Sequence, residues 1–113
     1  MKIYHNPRCS KSRETLAIIK DNGVEVEVVE YLKEVPSKKE LTELLHLLGK
    51  RPIEIIRKGE ADFKTHFKGK ELSDEEWIEA MLAFPKLIER PIVVSGNKAV
   101  LGRPPQNVSG LLA

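Results

Sequence analysis

Cysteine is nearly missing from this chain: Cys9 is the sole thiol among 113 residues, so no internal disulfide can form. A lone thiol suits a reducing compartment, where cysteine is kept for reactivity or packing. Long apolar runs are absent too. Stretches such as Ala80 to Pro85 and Pro91 to Asn97 fall far short of the ~20 residues that cross a bilayer. The N-terminus reaches Arg8, Lys11 and Arg13 without the apolar segment of a secretory signal, so a soluble, cytoplasmic protein with no membrane partner is expected. Neither sign of charge dominates. Nineteen Lys and Arg stand against seventeen Asp and Glu, spread along the chain, which disfavours nucleic acid as a partner. The seven glycines form neither G-x-G-x-x-G nor G-x-x-x-x-G-K, which removes the usual dinucleotide and phosphate cradles. A phosphatase loop C-x5-R would need arginine where Thr15 stands. His5, His46 and His66 are scattered without metal-ligand spacing, and His46 and His66 read as structural or solvated.

What is present fits one domain over residues 1–113. Met1 to His5 reads as a strand ended by the turn chemistry of Asn6-Pro7. A helix follows, capped by Ser10 or Ser12, carrying Leu16, Ile18 and Ile19 and stopping at Asn22-Gly23. Val24 to Leu32 alternates as a second strand, so the first 32 residues are β-α-β with parallel strands. Ser37 to Glu40 is a capping box before Leu41, Leu44, Leu45 and Leu48, at helical spacing, with Gly49 as the stop. Pro52 opens a short helix over Ile53 to Lys58, and Gly59 to Gly69 has no clear period. Ser73 to Glu76 is a second capping box, before Trp77, Ile78, Met81 and Leu82. Pro91 to Val94 and Ala99 to Leu101 flank Ser95-Gly96-Asn97-Lys98 as an antiparallel hairpin, and Pro104-Pro105 starts a closing helix through Leu112. This order, β-α-β, a helical middle, then β-β-α, predicts an α/β protein with a four-stranded mixed sheet in the thioredoxin-like layout.

The chemistry concentrates in His5-Asn6-Pro7-Arg8-Cys9-Ser10-Lys11-Ser12-Arg13. A solitary cysteine is by itself more often a small buried hydrophobe than a nucleophile. Here it sits between a strand and a helix N-terminus among several cations, where backbone N–H groups and the helix dipole favour thiolate. Each unit of lowered pKa requires about 1.36 kcal/mol of preferential thiolate stabilisation. A dipole supplies roughly 0.3 to 1 kcal/mol at exposed sites, so neighbouring cations and hydrogen bonds must add to it. His5, Ser12 and Arg13 are the nearest candidates. Ser12 is one turn beyond Cys9, placed either to donate its hydroxyl to sulfur or to serve as an ordinary first-turn serine. His5 either supports the thiolate or simply ends the strand. C-x-x-S has no second thiol, so an oxidised or substrate-bound Cys9 must be resolved by a thiol from outside.

The segments H-N-P-R-C-S-K-S-R-E-T-L, L-I-E-R-P-I-V-V and L-G-R-P-P resemble the ArsC family of glutaredoxin-dependent arsenate reductases, in particular its short ArsC-like branch, over essentially the whole chain. The resemblance implies that Cys9 is the nucleophile, His5 the histidine that lowers its pKa, and Arg57, Arg90 and Arg103 the oxyanion ligands. Forked, permanently charged guanidinium groups suit a tetrahedral oxyanion. It also implies a cis bond before Pro91, arsenate or a similar oxyanion as substrate, glutathione as co-substrate, glutaredoxin as partner, and no bound cofactor or metal. Two departures from the operon-type enzymes are visible: the chain ends soon after the closing helix, and Gly102 stands where some active members place a cysteine. Two other readings remain open. A monothiol glutaredoxin-like oxidoreductase of another substrate would use the same Cys9, with the arginines on glutathione carboxylates. An Spx-type regulator that binds RNA polymerase shares the layout, but such proteins use C-x-x-C and lack the preceding H-N-P.

Overall fold

The computed structural model describes residues 1–112. In chain order the elements are β1 (Lys2–Tyr4), α1 (Ser10–Asp21), β2 (Glu27–Val29), α2 (Lys38–Leu48), α3 (Ala61–His66), α4 (Asp74–Ala83), β3 (Ile92–Ser95), β4 (Lys98–Leu101) and α5 (Ser109–Leu112), with 3-10 turns at Pro52–Ile55, Pro85–Leu87 and Pro105–Val108. The chain divides into two compact units, Met1–Glu34 with Arg90–Ala113, and Val35–Glu89.

The first unit holds the four-stranded mixed sheet expected from the sequence, in the order β2-β1-β3-β4. β1 runs parallel to β2, with Ile3 opposite Val28, and antiparallel to β3, with Ile3 opposite Val93. The β3–β4 hairpin closes through Gly96 and Asn97, Gly96 taking φ +60 at the first loop position, as a type II′ turn requires. Ile3, Ile19, Val93 and Val108 are fully buried together, which joins the two central strands, α1 and the closing 3-10 turn. Burying one such side chain contributes roughly 1.5 to 3 kcal/mol. The second strand is shorter than its alternating sequence suggests. Only Glu27–Val29 pairs with β1, since β1 itself offers three residues.

The second unit is helical. Ser37 Oγ accepts the Glu40 N–H at 3.1 Å to start α2, and Ser73 and Glu76 form a reciprocal capping box at the start of α4. Leu41, Leu44, Leu45, Trp77, Ile78 and Met81 are buried. Lys38 links α2 to Glu75 and Glu79 of α4 at 2.6 and 3.0 Å. Two local expectations are corrected here. The helix over Ile53 to Lys58 is only a 3-10 turn, because Ile56 turns extended to pair with Ile88 and the Arg57 N–H donates to the Leu87 carbonyl. Gly59 to Gly69 contains α3, whose Phe63 stacks against Trp77 with ring centroids 6.0 Å apart, while His66 stacks on Phe84 at 4.7 Å. Among the described residues no helix is long and apolar enough to cross a membrane, and no cluster of His, Cys, Asp and Glu is placed to hold a metal ion.

Candidate active site

β1 delivers the chain to the site and α1 carries it away. The sheet continues one residue beyond β1, the His5 N–H donating to the Val29 carbonyl at 2.8 Å. Asn6 then closes a tight turn: its carbonyl accepts the Cys9 N–H at 3.0 Å and its Oδ1 the Arg8 N–H at 3.0 Å. Cys9, extended at φ −93 and ψ 122, is the N-cap of α1. The expectation that Ser10 or Ser12 caps this helix is therefore corrected, because the turn locked by Asn6 delivers Cys9, not a serine, to the last non-helical position.

The surroundings of the sulfur are cationic. Burial by itself pushes the Cys9 thiol up, but the Ser12 N–H, the Arg90 side chain and the Lys11 N–H outweigh it and leave the pKa below its ordinary value. Arg103 Nη1 lies 3.8 Å from Cys9 Sγ and donates to the Arg90 carbonyl at 3.2 Å. Cys9, Arg90 and Arg103 are thus brought together, although 81 and 13 residues of chain separate them in turn. Both arginines precede a cis peptide, Arg90–Pro91 as the resemblance implied and Arg103–Pro104 in addition.

Ser12 and His5 are brought together by the fold. Ser12 is fully buried, and its hydroxyl meets His5 Nδ1 at 2.6 Å while accepting the Asn6 N–H at 3.1 Å. Ser12 favours the thiolate through its backbone N–H, while its hydroxyl oxygen meets His5 and Asn6. Burial holds the His5 imidazole below its ordinary pKa, with Glu30 opposing and Arg13 and Lys20 reinforcing that shift, so the ring is neutral at pH 7. A neutral ring hydrogen-bonded to Ser12 fixes the strand-to-helix turn rather than lending positive charge. Arg13 Nη1 donates to the Pro7 carbonyl at 2.9 Å and braces the same turn from outside. Arg57 belongs to the second unit. There Glu89 Oε1 lies 2.7 Å from Nη1 and Glu60 Oε1 3.3 Å from Nε; burial alone would lower its pKa, and the two carboxylates raise it.

Sequence reasoning missed three supporting residues. Thr15, noted only for not being arginine, is fully buried, with its hydroxyl 2.8 Å from the Lys11 carbonyl and 3.4 Å from that of Gly102. Gly102 is packed so closely that an added Cβ would lie 2.5 Å from Thr15 Oγ1 and 2.7 Å from Pro91 Cγ. Asn107 donates to the Leu101 and Arg103 carbonyls, both at 3.2 Å, and so holds the backbone of a site arginine.

A cysteine at a helix N-terminus, faced by two arginines across a four-stranded mixed sheet, defines a thiol-centred site on the thioredoxin-like fold. The chain belongs to the ArsC family, whose profile matches residues 4–111. It is 51% identical to an uncharacterized protein, YfgD, of Escherichia coli strain K12, over 96% of this chain and 92% of that one. It is 43% identical to a protein named arsenate reductase from Rhizobium meliloti, over 97% of this chain and 79% of the other. A solved structure described as arsenate reductase from Vibrio cholerae superposes with a TM-score of 0.92 at 45% identity, each chain covered to 97%.

Proposed function

We propose that residues 1–113 act as one ArsC domain and reduce arsenate, with Cys9 as the nucleophile. The observation that carries this reading is the Cys9 sulfur at the start of α1 with Arg103 Nη1 3.8 Å away and Arg90 favouring its thiolate. Relatives named arsenate reductase support the choice of oxyanion. The thiolate attacks arsenic(V) and a hydroxyl leaves as water, giving a Cys9–arsenic(V) ester. Arg90 and Arg103 stabilise charge on the remaining oxygens as fixed donors. Arg57 is assigned as a third oxyanion ligand on family resemblance. Glutathione, the co-substrate in this reading, displaces a second hydroxyl as water and forms a sulfur–arsenic bond. A further thiol, assigned to glutaredoxin, attacks the glutathione sulfur. That sulfur–arsenic bond breaks with its electron pair left on arsenic, which becomes arsenic(III), and the two external thiols become one disulfide. Water then releases arsenite and returns Cys9 as a thiol. No bound cofactor or metal takes part.

The test is arsenate-dependent NADPH oxidation with glutathione, glutaredoxin and glutathione reductase, wild type against Cys9→Ser. Turnover in the wild type that vanishes in the variant is expected. Turnover retained by Cys9→Ser overturns the mechanism. No turnover in a wild type whose Cys9 still alkylates rapidly at neutral pH overturns arsenate as the substrate and favours a glutaredoxin-like thiol exchange.

A further inference from the structure

Cys9 has two flanks. On one, Arg90 and Arg103 approach from the β3–β4 side of the sheet. The other is the turn that precedes it, where a cavity of about 280 Å³ is lined as far as Arg8, next to Cys9 in sequence, and by the segment after β2. Its walls come from the turn before Cys9 (His5, Asn6, Pro7, Arg8) and from the segment after β2 (Glu30, Leu32, Lys33). Small-molecule sites run from about 300 Å³ upward, so this volume suits one end of a small polar molecule rather than a protein segment.

The lining combines opposite charges with apolar surface. Glu30 and Lys33 form a loose pair at 3.7 Å, with the Lys33 side chain 79% exposed. Among the described residues the Arg8 guanidinium has no acidic partner. Pro7 and the partly exposed Leu32 supply the apolar wall, and Asn6 is almost entirely buried. One carboxylate and two cations, with Arg8 adjacent to Cys9 in sequence, match a ligand with its own ammonium, carboxylates and a short stem. We propose that this cavity seats the small zwitterionic peptide thiol that resolves Cys9, its ammonium on Glu30 and a carboxylate on Lys33 or Arg8. The inference rests on the reading above only in requiring an external thiol. It separates the two reactants spatially, with oxyanion on the β3–β4 flank and reductant on the β2 flank.

The experiment reads thiol exchange without arsenate. Cys9 thiolate attacks one sulfur of glutathione disulfide, the S–S bond breaks, a Cys9–glutathione disulfide forms and one glutathione thiolate departs; mass spectrometry follows its rate. Bis(2-hydroxyethyl) disulfide, which has neither ammonium nor carboxylate, serves as the comparison. Lys33→Gln and Glu30→Gln are each expected to slow exchange with glutathione disulfide about three- to tenfold, an effect of the size that charges at a binding rim produce. Exchange with the neutral disulfide is expected to be unchanged. The Glu30 variant is decisive in sign: a long-range field alone predicts that removing this negative charge speeds reaction with the anionic disulfide. Faster exchange in Glu30→Gln, equal slowing with both disulfides, or unchanged rates in both variants overturns the proposal. Failure of arsenate turnover in the wild type bears on the oxyanion reading instead, and leaves these exchange rates to decide the cavity.

Discussion

The same residue type has two electrostatic fates in the two units. In Val35–Glu89 three basic side chains meet carboxylates: Lys38 with Glu75 and Glu79, Arg51 with Asp74 at 2.9 Å, Arg57 with Glu60 and Glu89. Around Cys9 the arginines face a sulfur and a backbone carbonyl. In the helical unit these cations tie elements together, whereas beside Cys9 the Arg90 side chain favours the thiolate. Two ion pairs of the first unit, Lys11–Glu14 at 3.9 Å and Lys33–Glu30 at 3.7 Å, are long and exposed, so each adds little to stability. Buried small polar groups hold that unit's functional end instead.

The strongest way to break the contrast is to disturb that buried packing. Gly102→Ala places a Cβ against Thr15 and Pro91 and is expected to cost about 1 to 3 kcal/mol, as overpacking does. Urea denaturation measures it, and adding Thr15→Ala should recover part of the loss, since the two sites share the clash. A fully additive double variant would show that the strain lies elsewhere.

A second, intermediate effect sharpens the comparison directly. The pH profile of Cys9 alkylation by iodoacetamide should have its midpoint below that of an ordinary thiol, here a small-molecule thiol run in parallel. Arg90→Gln is expected to raise that midpoint, and Arg57→Gln, which removes a charge already matched by two carboxylates, to leave it in place. Equal shifts in both variants would erase the distinction between the units.

The smallest expected effect is a shallow pH dependence of stability in the sheet-bearing unit. Burial holds His5 below its ordinary 6.5, so the unfolded chain takes up this proton at higher pH than the folded one. The contribution is complete above about 6.5 and is lost as pH falls below it. Urea midpoints near pH 7.5 and near pH 5 should differ less in His5→Gln than in wild type. An unchanged difference would assign the dependence to other groups.

Much of this architecture was legible because it is written locally. The capping boxes at Ser37 and Ser73, the Asn22-Gly23 stop and the Gly96-Asn97 turn each act within a few residues, and all fall where the sequence puts them. Cys9 at a strand-to-helix junction was readable for the same reason. Illegible were the contacts made through space. Thr15 reaches Gly102 across 87 residues, and Arg103 reaches Cys9 across 94. No spacing rule announces either. The partner of the Ser12 hydroxyl was not legible, because one helical turn from Cys9 fits both a hydroxyl aimed at sulfur and an ordinary first-turn serine; only the fold brings His5 beside it. α3 was missed because its six residues stop before a helical period can show.

Most helices begin on a serine, threonine, aspartate or asparagine, whose oxygen satisfies a first-turn amide permanently. α1 begins on Cys9, whose side chain makes no such bond, while the Lys11 and Ser12 amides favour its charged form. The cap of this helix is therefore ionisable and chemically consumable. Any covalent bond made at the sulfur withdraws negative charge from those two amides, so the first turn of α1 is expected to be tighter with a free thiolate than with an alkylated sulfur. Amide hydrogen exchange at Lys11 and Ser12 thus gauges whether the sulfur is free or bonded.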